Sequence, residues 1–153
     1  MTASPVTNKQ VSSLYDADYA AWIDSTLKKL KQQDYSSVDW ENLIEEIEDM
    51  GRSEKRRLES NLTVVLLHLL KWQYQPERRS RSWNASIVEH RRRVRKDLRD
   101  SPSLKPYLVS IRQESYEDAV RSATVETGLP TDTFPAECEY VIAQILDDDF
   151  LPE

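Results

Sequence analysis

Residues 53–74, SEKRRLESNLTVVLLHLLKWQY, decide how the rest of the chain is read. Leu58, Leu62, Val65, Leu66, Leu69 and Trp72 recur at three- and four-residue steps, the spacing of one face of an α-helix. Val64, Leu67 and Leu70 widen that face almost all round. A helix apolar on most sides is either the centre of a bundle or a subunit contact. Its most apolar window, Leu62–Leu70, is interrupted by Thr63 and His68 and falls far short of the ~20 residues that span a bilayer.

Amphipathic segments flank this centre. On the N-terminal side, Asp39 is placed to cap a helix carrying Trp40, Leu43, Ile44, Ile47 and Met50 on one face. Gly51 is expected to end that helix in the left-handed conformation, with Ser53 capping the next. Further back, Tyr19, Trp22, Ile23, Leu27 and Leu30 stripe a helix over residues 16–34. On the C-terminal side Pro76 breaks the central helix. A fourth helix, from about Ser82 to Asp100, has a thin stripe of Trp83, Ile87, Val94 and Leu98, with His90 or Arg91 filling its gap. After the Ser101-Pro102-Ser103 break, Ser103 is expected to cap a fifth helix, which Gly128 and Pro130 close. A short sixth presents Val141, Ile142, Ile145 and Leu146. The expectation is an all-α fold: a single compact bundle of five or six helices over residues 14–153, behind a loose arm at residues 1–13.

Composition removes more functions than it suggests. With only two glycines in 153 residues, Gly51 and Gly128, no glycine-rich phosphate loop can be built. The single cysteine, Cys138, excludes a disulfide framework and any multi-thiolate metal site. Met1–Gln10 lacks the apolar core of a secretory signal, so a cytoplasmic chain with a reduced Cys138 is expected.

The net charge of −6 conceals a partition. Residues 1–50 hold 4 basic and 10 acidic side chains, residues 51–112 hold 16 and 6, and residues 113–153 hold 1 and 11. Arg78, Arg79, Arg81, Arg91, Arg92, Arg95, Lys96 and Arg99 are therefore a candidate surface for an anion or a partner, with nucleic acid as one such anion. The competing reading pairs them with the acidic flanks, and the acidic overall balance favours it.

Glu41, Glu45, Glu48 and His68 are the candidate polar core cluster. Carboxylates on facing helices with a histidine can hold two metal ions, but that pattern uses Glu-x-x-His pairs, and the chain has none. A metal-dependent hydrolase using Glu41, Glu45 and His68 is accordingly the weakest alternative, and no cofactor or catalytic residue is assigned. The acidic neighbours Glu137 and Glu139 disfavour a reactive Cys138 thiolate. Core packing is the expected role of Trp22, Trp40, Trp72 and Trp83.

Several stretches are familiar as a set: residues 39–43 with 45–54, the run His68–Trp83 (HLLKWQYQPERRSRSW), Ser101-Pro102-Ser103-Leu104, Thr127-Gly128-Leu129-Pro130 and Phe134-Pro135. Over about residues 14–152 the chain resembles the family called domain of unknown function 29. The resemblance implies a small bacterial, mainly cyanobacterial, α-helical protein with no established activity, so no functional residue carries over. The expected function is protein–protein contact by a non-enzymatic helical protein, with a homodimer through Leu62–Trp72 as one form. A nucleic-acid-associated module using residues 78–99 is the alternative.

Overall fold

Asp18 splits the first expected helix in two. Its backbone is extended (φ −152°, ψ 91°) and its carboxylate accepts the Ala21 N–H at 3.0 Å, so a short α1 (Leu14–Ala17) precedes α2 (Tyr19–Lys31). The structure, a computed structural model, describes residues 13–153; the expected arm at residues 1–13 lies outside them except for Ser13. A 3₁₀ turn at Tyr35–Ser37 leads to α3 (Trp40–Tyr74), followed by α4 (Arg81–Asp100), α5 (Lys105–Thr127) and α6 (Ile142–Leu146). The described residues form six α-helices and no strand.

The residues flanking the helices set most of their ends. Asp39 accepts the Asn42 N–H at 3.3 Å ahead of α3, and Ser80 accepts the Trp83 N–H at 3.2 Å ahead of α4. Gly128 (φ +74°) closes α5 in the left-handed conformation that side chains resist. Two expected boundaries are corrected. Gly51 does not end a helix and Ser53 does not cap one, because α3 runs unbroken through both. A glycine inside a helix costs roughly 1 kcal/mol, less than interrupting a ladder of hydrogen bonds on both sides. Ser103 does not cap α5 either: it sits in a 3₁₀ turn, Pro102–Leu104, that runs straight into the helix.

The described residues fall into two compact units, residues 13–50 and 51–153. In the first, Trp22 is the main buried side chain of α2, with Tyr15 edge-on at 4.9 Å and Tyr19 stacked at 6.0 Å. Both tyrosine hydroxyls donate to Glu46, from Tyr15 at 2.5 Å and from Tyr19 at 2.6 Å, which ties α1 and α2 to the start of α3.

In the second unit α3 supplies the centre. Leu58, Leu62, Val65, Leu66 and Leu69 are completely buried, together with Ile87 and Val94 of α4, Leu108 and Ala119 of α5, and Ile145 of α6. Fully burying a side chain of this size contributes about 1.5–3 kcal/mol. The breadth of the apolar face on Leu62–Trp72 thus serves the chain's own core, where Leu62, Leu66 and Leu69 have no outward surface.

Candidate functional site

The arginine segment is divided between interior and surface. Arg91 is 1% exposed and belongs to no anion-binding face. Its guanidinium donates to three backbone carbonyls, Ile145 at 2.6 Å, Phe150 at 2.8 Å and Gln144 at 3.2 Å. These include carbonyls at the end of α6, which have no partner within the helix. Burial pulls the Arg91 guanidinium below its ordinary range, while Asp148 and Asp147 oppose that shift. Arg95 continues the clamp, donating to Leu146 O at 2.9 Å and to Asp148 at 2.7 Å. Part of the basic segment therefore holds down the acidic C-terminal tail.

Arg79 lies over the Trp72 ring at 5.2 Å and donates to the Trp72 carbonyl at 2.8 Å and the Pro152 carbonyl at 3.5 Å. Arg92 pairs with Glu89 within α4, and Lys96 with Asp100. The two α4 arginines beside it, Arg92 and Arg93, hold the Glu89 carboxyl down at about 2. Arg78, Arg81 and Arg99 are exposed. The corner around residues 71–83 is built on Lys71, which bridges to Glu126 at 2.8 Å and sits over Trp83 at 4.6 Å.

The expected polar core cluster is not in the core. Glu41, Glu45 and Glu48 are exposed on the first turns of α3. His68, in the second unit, is half-buried, its Nδ1 2.9 Å from the Val64 carbonyl, and burial draws the ring below its usual 6.5. Among the described residues no group of three or more His, Cys, Asp and Glu side chains comes together as a metal ion requires. Burial, more than the acidic neighbours, pushes the Cys138 thiol up.

Sequence reasoning missed a groove in the first unit. It has a volume of about 310 Å³ and is lined by Tyr19, Trp22, Ile23, Leu27 and Leu30 of α2 and by Leu43, Glu46, Ile47 and Met50 of α3. Five of these large side chains stay exposed, up to 59% for Ile47 and 65% for Met50. The expected core stripes of both helices thus form the walls of an open groove. Trp40, expected in the core, is also out in solvent at 46%, its Nε1 donating to the Tyr35 carbonyl at 2.9 Å. One signal was present in the sequence: residues 16–50 carry more large apolar side chains than two short helices can cover for each other.

No helix among the described residues is long and apolar enough to cross a membrane. The family model described as Domain of unknown function DUF29 matches residues 14–151. No curated protein and no solved structure matches.

Proposed function

The chain belongs to the DUF29 family, whose description names no activity, and from the geometry we propose that it acts through protein–protein contact, its groove on α2 and α3 taking an amphipathic helix from a partner protein. The observation that carries this is the set of exposed groove residues, Tyr19, Ile23, Leu27, Ile47 and Met50. Single exposed apolar residues are ordinary, but a contiguous patch on two helices is the surface that helix-in-groove recognition uses. Residues 13–50 hold three lysines against ten carboxylates, and Glu46 is the one charged side chain lining the groove. A net-positive helix complements that field. A cytoplasmic setting is part of the same proposal and rests on the sequence alone.

A photo-crosslinking side chain placed at Met50 of the full chain, in its native cells, tests the reading. Crosslinks are expected on one basic amphipathic helix of another protein, and they should vanish in Ile47→Asp, whose exposed position leaves the fold intact by far-ultraviolet circular dichroism. Crosslinks only to a second copy of this chain, or crosslinks indifferent to Ile47→Asp, overturn it.

A further inference from the structure

In the second unit, α3 and α4 flank an open cleft of about 550 Å³ lined by Arg57, Ser60, Asn61, Arg93, Lys96 and Asp97. Asp97 is only 6% exposed, and both of its carboxylate oxygens accept from Arg57, at 2.9 Å from Nη2 and 3.3 Å from Nε. The pair is internally satisfied and leaves the rest of the cleft rich in donors. Asn61 is 7% exposed, and its side chain contributes to the lining of the cleft. An amide in such a lining adds an uncharged donor beside the cations.

The cations around Asn61 have donors to spare. Arg57 bonds through Nε and Nη2, which leaves Nη1; Arg93 bonds through Nε to Glu89 at 3.0 Å, which leaves both terminal nitrogens. The pairs Arg57–Glu54, Arg93–Glu89 and Lys96–Asp100 are exposed and lie within single helices. Such pairs contribute little and exchange readily for a better acceptor. What the lining lacks is an acceptor with several oxygens and more than one negative charge.

We propose that this cleft binds the phosphate group of a phosphorylated small molecule. Arg57, Arg93 and Lys96 neutralise the dianion and Asn61 donates to one of its oxygens. Guanidinium donors suit such an anion because their planar fork meets two oxygens at once.

Calorimetric titration of the full chain with inorganic phosphate and with glycerol 3-phosphate, at an ionic strength fixed with sodium chloride, tests this. Saturable one-to-one binding of both probes is expected, weakened about tenfold or more in Arg93→Gln and in Asn61→Leu, since a hydrogen bond to a charged group is lost in each. Arg93 is exposed, so its variant keeps the test decisive even if Asn61→Leu does not fold. Heats no different from a sodium chloride titration, or binding unchanged in folded variants, overturn the proposal. So does tighter binding of a single-stranded oligonucleotide that the same variants abolish, which would make the cleft part of a nucleic-acid surface.

Discussion

Arg91 Nε donates to the backbone carbonyl of Ile145 at 2.6 Å, and the side chain that does so is almost wholly enclosed. The guanidinium occupies the place of an apolar residue on the α4 stripe while serving as the partner for the end of α6 and for Phe150. Removing it takes this donor from the Ile145 and Phe150 carbonyls, while Gln144 keeps the Asp147 N–H at 3.3 Å, and opens a cavity as well. Arg91→Ala is expected to cost about 3 kcal/mol or more, since each bond to a charged donor contributes about 1.5–3 kcal/mol and unsatisfied carbonyls add to the loss. Arg91→Met, which keeps much of the volume but not the donors, should fall between the parent and Arg91→Ala. Urea unfolding measures both, and a loss under about 1 kcal/mol for Arg91→Ala would contradict the clamp.

Glu46 holds two phenols. Tyr15 is pushed up to about 12 and Tyr19 is also raised, in each case first by the hydrogen bond to Glu46. In Glu46→Gln the carboxylate charge goes, and the Tyr15 titration, followed by NMR at the ring carbon bearing the hydroxyl, is expected to fall back toward 10.0. An unchanged titration would mean that burial and not Glu46 sets it.

His68 gives the chain an acid-side weakness. Its ring is drawn below 6.5 in the folded state, so as the pH falls through 6.5 the unfolded chain takes up a proton that the folded chain resists. Its contribution is therefore neutral above 6.5, increasingly unfavourable below it, and level again once the pH passes the folded value. His68→Gln is expected to lose less stability than the parent between pH 7.5 and pH 5. Parallel urea titrations at the two pH values decide it; equal losses would remove His68 as the cause.

The two glycines should respond oppositely to alanine. Gly51 lies inside α3, and a Cβ built there meets nothing within 4 Å. Gly51→Ala is expected to stabilise by about 0.5–1 kcal/mol. Gly128 has equal space but a φ of +74°. Gly128→Ala is expected to destabilise by about 1–2 kcal/mol. Thermal unfolding of the pair checks both signs.

Local chemistry was written plainly in the chain. The stripe from Leu58 to Trp72 announced a helix and Pro76 its end, Asp39 announced the start of what was read as a separate helix before it, and Gly128 closed α5 as expected. The gap in the α4 stripe pointed to Arg91 or His90, and Arg91 fills it. These features depend on residues within a few turns of one another, so spacing and capping chemistry suffice to read them.

What tertiary structure alone decided was which surfaces meet. An amphipathic stripe says that a face is apolar but not whether the fold supplies a cover. Leu62 and Leu66 receive one, whereas Ile47 and Met50 on the same helix do not. Spacing likewise shows a run of arginines without revealing that Arg91 reaches across 54 residues to the Ile145 carbonyl while Arg93 stays in solvent. Neither the helix period nor the charge count carries distance between segments remote in sequence. The folded chain supplies that distance, and it left a groove on α2 and α3 and a basic cleft on α3 and α4 where the sequence showed only stripes and charge.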